Sequence, residues 1–371
     1  MRIGIDIREL EKGKFTGIGR YLRQFLSFAA ENDKQNEYVL FANQKTDYNI
    51  KVENQKLIII PEKITFLWDQ IKLPFHLKKQ SIDVFLTPYF KAPLYKSAKT
   101  VVIINDIIPL AAPQYQKLKY FLKKSYFRAM TKRTVKKADR IITISQHSKK
   151  DIIKFFGIDS TKVEVITLSV EFHNLDKLKS EKIINRYGIK DKFIFYFGNF
   201  NPHKNIKGLL MAYNKLPDNI KNHYGLVIGG KKNKHHSDLV KLVKLLAIEN
   251  KVIFVDFISD EDLPYFYNAA QLFVFPSLYE GFGLPVLEAM ACETPVVASN
   301  STSIPEVTGN AAILVDTNDT NQLSKAMKKV LLNETLQNDL IKNGIERAKK
   351  FSVEKMAHKI LGVLSEGNDS V

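Results

Sequence analysis

The chain of 371 residues carries a single cysteine, Cys292, so it can form no disulfide within itself. That cysteine lies in the apolar stretch Leu-Glu-Ala-Met-Ala-Cys, where a buried structural thiol is expected. No window reaches the roughly 18–20 consecutive apolar residues that a membrane-spanning helix needs. The opening residues Met-Arg-Ile-Gly-Ile-Asp-Ile-Arg-Glu-Leu lack the charged flank, apolar run and small-residue cleavage site of a signal peptide. A cytoplasmic chain is therefore expected, and the cysteine count suits that compartment. There is no low-complexity tract and no clear internal repeat. Acidic residues are also short: 39 against 56 Lys and Arg, a formal net charge of +17. This surplus implies an anionic partner, whether phosphate groups, a membrane surface or nucleic acid, and does not choose among them.

Hydrophobic residues make up 45% and charged residues 26%, the balance of a folded chain. The length fits two domains better than one core. Strands are expected at 2–7, 38–42, 57–60, 82–86, 101–104, 140–144 and 163–166, then at 193–198, 225–228, 252–255, 272–275, 295–298 and 312–315. Many are short, nearly continuous runs of Ile and Val, which suits parallel strands covered on both faces. Amphipathic stretches such as 21–30 lie between them, so the fold class is α/β, with doubly wound parallel sheets. The expected division is 1–170 for one Rossmann-like domain, 171–190 for a polar, lysine-rich linker with one short helix, and 191–349 for a second Rossmann-like domain. Residues 350–371 are expected to form a C-terminal helix packing back toward the first domain, with the last few residues frayed.

The densest constellation is Pro276-Ser-Leu-Tyr-Glu280-Gly281-Phe282-Gly283-Leu284-Pro285-Val-Leu-Glu288, between the apolar run Leu-Phe-Val-Phe and a helix. Gly281 and Gly283 let the backbone approach a ligand closely. Pro285 suits a first helical turn. The N–H groups at that helix start form an anion site that a diphosphate fits. Glu280 stands in the loop and can reach a sugar or its departing phosphate. Glu288 stands one turn inside the helix and can accept hydrogen bonds from a ribose diol.

This segment resembles the E-x7-E motif of retaining glycosyltransferase family 4, the group 1 glycosyltransferases with the GT-B fold. Thr294-Pro-Val-Val-Ala-Ser299-Asn-Ser-Thr-Ser-Ile-Pro305-Glu306 is similar to the family's next block, a strand ending in a small polar turn beside the nucleotide. Phe197-Gly198-Asn199-Phe-Asn-Pro202-His203-Lys204-Asn205 is similar to the first strand–loop of the donor domain. The resemblance covers nearly the whole chain. It implies two Rossmann-like domains facing across a cleft, with a nucleotide-diphosphate sugar, GDP- or UDP-linked, on the second. It implies that Lys204 binds the donor diphosphate, a role that suits a compact cation. Many members carry Arg at the position of Asn199 or His203; this chain has neither, which leaves Lys204 as the main phosphate cation.

In the first half, Thr16-Gly17-Ile-Gly19-Arg20-Tyr21 follows the first strand and opens a helix. The third glycine of a dinucleotide fingerprint is missing, with Leu22 in its place, which argues against a nicotinamide site. The resemblance sets Gly17 and Gly19 beside the donor phosphate and acceptor; a plain strand-to-helix turn is the alternative. Val101-Val-Ile-Ile-Asn105-Asp106 is similar to a family block that often reads His-Asp. Asn105 can hydrogen-bond the donor sugar but cannot titrate. Asp106 is a candidate for orienting the acceptor, or a strand-end turn carboxylate.

Residues 117–140 form a basic stretch, with Lys117, Lys119, Lys123, Lys124, Arg128, Lys132, Arg133, Lys136, Lys137 and Arg140 interleaved with Leu118, Phe121, Leu122, Tyr126, Phe127 and Met130. Such a helix can lie on an anionic membrane surface, or simply turn an apolar face to the core. Nucleic acid is the weaker partner. Asp260-Glu261-Asp262 looks like a D-x-D metal motif, but Ser259-x-x-Asp262 before a helical pattern resembles a capping box. His235 and His236 lack metal-site spacing, and His147 and His173 have no partner pattern. No metal or other cofactor is expected, the nucleotide sugar being a co-substrate.

The expected activity is a retaining hexosyltransferase, mannosyl foremost. Its acceptor would be a glycan or lipid-linked hydroxyl, in surface-polysaccharide or glycolipid assembly on the inner face of the membrane. Glu280, Lys204 and Asp106 are the expected catalytic set. Asn105, Asn199, His203, Lys204, Gly17, Gly19, Glu280, Gly281, Phe282, Gly283, Leu284 and Glu288 are the expected donor contacts. A sugar-nucleotide epimerase on the same fold is the rival enzyme, and a basic nucleic-acid-binding protein the rival class.

Overall fold

Runs dense in Ile, Val and Phe become parallel strands here, because a strand covered on both faces needs no alternation. The computed structural model describes residues 1–13, 16–49, 52–115, 121–172 and 175–366, with the Lys123 side chain excepted. Lys117, Leu118, Lys119, His173 and the end of the chain beyond Glu366 lie outside the described residues. The chain divides into two units, Met1–Ser169 joined by residues from Val353 on, and Val170–Ser352.

The first unit holds a seven-stranded parallel sheet of β1 (Arg2–Asp6), β2 (Glu37–Ala42), β3 (Gln55–Ile59), β4 (Val84–Thr87), β5 (Lys99–Ile103), β6 (Arg140–Thr143) and β7 (Val163–Val165). Its order is β3-β2-β1-β4-β5-β6-β7, with Ile3 of β1 in register with Tyr38 on one side and Val84 on the other. Helix α1 (Gly17–Asn32) starts where the Thr16 hydroxyl accepts the Gly19 N–H at 3.0 Å, and it buries Leu22, Phe25, Leu26 and Ala29. Helix α2 (residues 65–79) runs from Thr65–Leu67 through a π-turn at Trp68–Lys72 into Leu73–Lys79. Helices α3 (Phe121–Lys137) and α4 (Gln146–Phe156) follow, the latter capped by Ser145 and closed by Gly157 at φ 62°.

The second unit begins with α5 (Lys177–Arg186), in the stretch expected as a linker. Its Ser180 hydroxyl donates to Asn268 at 2.9 Å, and Tyr187 just beyond it donates to Asp262 at 2.7 Å, so this helix packs within the second unit. Strands β8 (Phe193–Phe197), β9 (Gly225–Gly229), β10 (Val252–Val255), β11 (Leu272–Phe275), β12 (Val296–Ser299) and β13 (Ile313–Val315) form a six-stranded parallel sheet of order β10-β9-β8-β11-β12-β13. Among its helices are α6 (Ile206–Asn214), α7 (Leu263–Ala269), α8 (Leu284–Ala291), α9 (Thr320–Leu331) and α10 (Glu334–Ala348). Every expected strand is present, with ends moved by no more than two residues. Both sheets are doubly wound.

Helix α11 (Val353–Ser365) belongs to the first unit, where it packs on α1 with His358 edge-on to Phe28 at 5.1 Å. Two passages of backbone therefore join the units. Ser169 on the first passage donates to Gln24 at 2.7 Å, and Val170 donates to the Phe351 carbonyl of the second at 3.1 Å. No helix among the described residues is long and apolar enough to cross a membrane.

Candidate functional site

In an open parallel sheet, the loops at the carboxyl ends part where the strand order reverses, and ligands bind there. In the second unit that point falls between β8 and β11. The loop after β8 runs from Gly198 to Lys204, and the loop after β11 runs from Pro276 to Gly283. The structure joins them at their tips: Lys204 Nζ donates to Glu280 Oε1 at 2.6 Å, with the two side chains only 12% and 9% exposed. The ammonium also stands 5.3 Å above the Phe275 ring. Lower down, the Leu278 N–H donates to the His203 carbonyl at 2.7 Å.

Each loop is fixed from outside. Asn205 adopts the left-handed conformation at φ 54° and donates through Nδ2 to the Thr317 carbonyl at 2.8 Å, which stops the 3-10 turn Pro202–Lys204 where Lys204 points at Glu280. The Thr302 hydroxyl accepts the Glu280 N–H at 3.0 Å, while the Ser303 hydroxyl donates to the carbonyls of Glu280 at 3.0 Å and Phe282 at 2.8 Å. The small polar turn after β12 thus holds the glycine loop. Gly283 precedes α8 with φ +120°, and a Cβ there would sit 2.6 Å from Ile304 Cδ1, so only glycine fits. No side chain caps α8; Pro285 has no N–H, and the Val286 and Leu287 N–H groups donate to the Gly283 carbonyl at 2.9 and 3.3 Å. Phe282 packs edge-on to Phe351 at 5.8 Å, Gly281 is buried, and Leu284 is half-buried at the head of α8.

Glu288 is placed apart from this pair. It is half-buried on α8, and its Oε2 accepts the Tyr267 hydroxyl of α7 at 2.9 Å. Tyr267 escaped the sequence reading because a tyrosine inside an apolar helix reads as core. Asn199 is exposed and folds back in a turn, its Oδ1 accepting the Asn201 N–H at 3.2 Å.

His203 is buried, and burial, then the Lys204 charge, hold its imidazole down at about 4. It is neutral near pH 7 and cannot add a second cation to Lys204. An unfolded histidine titrates near 6.5, so between about pH 6.5 and 4 the unfolded chain binds the extra proton and stability rises with pH. Acidification across that window should cost on the order of 3 kcal/mol, and His203→Gln should flatten the slope in denaturant titrations run at several pH values.

The other expected site residues lie in the first unit. Gly17 and Gly19 form the first turn of α1, and a Cβ on Gly17 would meet nothing within 4 Å. Asn105 follows β5, and its Oδ1 is buried with no hydrogen-bond partner. Asp106 Oδ1 accepts the Ile108 N–H at 3.0 Å, a turn that opens the short helix Ile108–Ala111.

The first unit's own reversal point, between β1 and β4, carries a charged cluster the sequence reading missed. The Arg8 guanidinium makes two bonds to Asp6, at 3.0 and 2.7 Å, and one to Asp69 at 2.7 Å; it lies 3.4 Å over the Trp68 ring. Lys91, in the loop after β4, pairs with Asp69 at 3.0 Å. Glu9 accepts the Thr16 hydroxyl at 2.8 Å and the Tyr89 hydroxyl at 3.2 Å. The available signal was Asp6 and Arg8 flanking Ile7 at the end of an Ile-rich strand, where charges have no solvated face.

Two earlier readings resolve differently. Of the basic stretch, Met130 and Val135 are core and Phe127 packs on it with its ring 4.6 Å from Phe90, whereas Phe121, Leu122 and Tyr126 are exposed. In the Asp260–Asp262 segment, the Ser259 hydroxyl accepts the Asp262 N–H at 3.1 Å, as in a capping box. The Asp262 carboxylate does not reach back; it binds Tyr187 and Arg186 instead. Cys292 is buried.

Residues 179–347 match the model of the glycosyl transferases group 1, and residues 15–172 that of glycosyltransferase family 4. O-antigen chain mannosyltransferase B of Escherichia coli is 30% identical over 366 residues, covering 92% of this chain and 94% of that protein. The serotype-specific mannosyltransferase WbdA of Escherichia coli is 32% identical over 268 residues, 70% of this chain but 32% of that longer protein. Among solved structures, WaaG, a glycosyltransferase involved in lipopolysaccharide biosynthesis, is similar with a TM-score of 0.78 at 16% identity, over 98% of this chain and 99% of that one. Anabaena HepE in complex with UDP-glucose has a TM-score of 0.76 at 16% identity, over 99% and 100%. The chain belongs to the group 1 glycosyltransferases of family 4, with the GT-B fold, and is a hexosyltransferase.

Proposed function

We propose that the chain moves a hexosyl group, mannosyl foremost, from a GDP- or UDP-sugar to a hydroxyl of a glycan or lipid-linked acceptor in surface-polysaccharide or glycolipid assembly, with retention at the anomeric carbon. The observation that carries the donor site is the Lys204–Glu280 contact at the β8/β11 reversal point, beside the uncapped start of α8. The relatives' names support the mannosyl and polysaccharide parts.

In this reading Lys204 and the Gly283–Leu284 backbone meet the diphosphate. As the sugar–phosphate bond breaks, Lys204 stabilises the charge that gathers on the leaving oxygen. Glu280, released from part of its hold on Lys204, orients the sugar hydroxyls, and Glu288, steadied by Tyr267, accepts from the ribose. The acceptor hydroxyl attacks the same face of an oxocarbenium-like centre and gives its proton to the leaving phosphate. The reaction proposed here uses no metal ion, with Lys204 and the Gly283–Leu284 backbone meeting the phosphate charge. The exposed cations of α3, including Arg128, Lys132 and Lys136, hold the chain against an anionic membrane surface.

A panel of GDP-, UDP-, dTDP- and ADP-sugars, read by thermal shift, tests the donor site. Nucleotide sugars of one base should raise the melting temperature, Glu288→Ala should abolish that rise while still folding, and EDTA should leave transfer unchanged. The anomeric coupling of the product, read by NMR, should match that of the donor. No stabilisation by any member of the panel would sink the donor assignment.

A further inference from the structure

Charge is unevenly shared among the loops at the carboxyl ends of the second sheet. A nucleotide sugar carries a negative charge on each of its phosphates, while Lys204 is already paired with Glu280. The neighbouring loops add little to it. Asn199 and Asn201 are neutral, and burial keeps His203 uncharged near pH 7. The loop after β10, residues 256–262, is acidic, with no Lys or Arg. The loop after β11 adds only Glu280, the turn after β12 is uncharged, and residues 316–319 after β13 carry Asp316 and Asp319. The exception is the loop after β9, residues 230–235, which reads Gly-Lys-Lys-Asn-Lys-His. Its three lysines, Lys231, Lys232 and Lys234, are all exposed.

This loop is docked along the loop after β8. At its start Gly230, at φ +143°, lies so close to Gly198 that a Cβ would stand 2.0 Å from the Gly198 carbonyl oxygen. Midway, Asn233 Nδ2 donates to Asn201 Oδ1 at 3.4 Å. At its end His236, which opens the helix His236–Leu245, stacks on Phe200 with ring centroids 5.8 Å apart. Asn201 belongs to the turn that carries Lys204, whose N–H donates to the Asn201 carbonyl at 2.9 Å. Asp256 accepts the Lys232 N–H at 2.8 Å and lies 3.9 Å from Lys232 Nζ. Lys231 and Lys234 have no ion-pair partner among the described residues. A run of lysines is ordinarily a solvated surface, but this one is fixed at three points to the loop that bears the phosphate cation.

We infer that the β9 loop is a second cationic arm of the donor site, with Lys231 and Lys234 meeting the donor diphosphate from the side of β8 away from Glu280. The strand order β9-β8-β11 puts Lys204 between the two arms. Lys231 and Lys234 bind the charge of the intact donor, whereas Lys204 faces the oxygen that leaves. This rests on the donor site proposed above.

The test is calorimetric titration with GDP and with UDP at low and at high salt. The variant Lys231→Gln, Lys234→Gln removes two exposed charges and should keep the unliganded melting temperature of the wild type. It should bind whichever nucleotide the wild type binds about tenfold more weakly at low salt. The gap should narrow at high salt, where exposed charges are screened. Lys241→Gln, Lys244→Gln, on the helix that follows, lowers the net charge equally and should leave affinity unchanged. Undiminished affinity of the Lys231, Lys234 variant would overturn the inference; if Glu288→Ala still abolished binding, the donor site would stand without this arm. An equal loss in the Lys241, Lys244 variant would also overturn it, in favour of the general field of a basic chain. No binding of either nucleotide by the wild type would remove both the arm and the donor site.

Discussion

Lys204→Ala should lower transfer by roughly a hundred- to a thousandfold, the loss of about 2.7–4 kcal/mol seen when a charge-stabilising donor is removed from an active site. It should also weaken the fold. Lys204 pairs with the Glu280 carboxylate, and both side chains are nearly buried. Removing one member of such a pair strands the other, at a cost of about 3–5 kcal/mol. A drop in rate alone would therefore be ambiguous. The double variant Lys204→Met, Glu280→Gln separates the two effects, because it strands no charge. Its denaturation midpoint should return most of the way to that of the wild type, and its turnover should stay at least as low as that of Lys204→Ala. Recovery of turnover along with stability would mean that the pair only braces the loops and that the phosphate is met elsewhere.

Arg8→Leu should be the most destabilising single change in the first unit. Asp6 is 1% exposed and takes two guanidinium bonds from Arg8 besides the Arg8 backbone N–H at 3.2 Å. Without the guanidinium its carboxylate keeps only that N–H and must protonate or remain buried without a counter-charge, again about 3–5 kcal/mol. Asp69 suffers less, because Lys91 remains. The guanidinium also stacks on Trp68, so its removal exposes one face of the sole tryptophan to a new environment. Urea unfolding followed by tryptophan emission should show an earlier midpoint and a changed native spectrum. Adding Asp6→Asn to Arg8→Leu should recover a substantial part of the lost stability. Equal stability of Arg8→Leu and the wild type would show that the cluster contributes nothing net.

The strands and the glycine loop before α8 were legible in the sequence because local signals agreed there. Apolar runs of four to six residues gave the sheets, and Gly281, Gly283 and Pro285 gave the turn into α8. What was not legible depends on distance along the chain. Asp6 and Asp69 meet on Arg8 from 63 positions apart, and Asp69 sits in a π-turn that shifts which side chains face inward. A charge in an amphipathic helix reads as solvated, so nothing local announced it. Tyr267 was hidden for the opposite reason: its ring is core, and only its hydroxyl matters to Glu288. The basic stretch mixed two faces, and periodicity did not tell that Met130 and Phe127 turn inward while Leu122 and Tyr126 do not. His203 is expected as a donor contact, and what its sequence neighbours did not announce is the burial that keeps it neutral beside Lys204.

The return of the chain into the first unit through α11 bears on its biosynthesis. The sheet β1–β7 leaves the ribosome early, yet the helix that covers α1 is made only after the whole of residues 170–352. During translation the second unit can close its six strands on its own residues, whereas the first must wait with a face of α1 unfinished. The half made first is therefore completed last. Nascent chains released shortly before Val353 should carry a protease-resistant second unit attached to a first unit that chaperones still recognise.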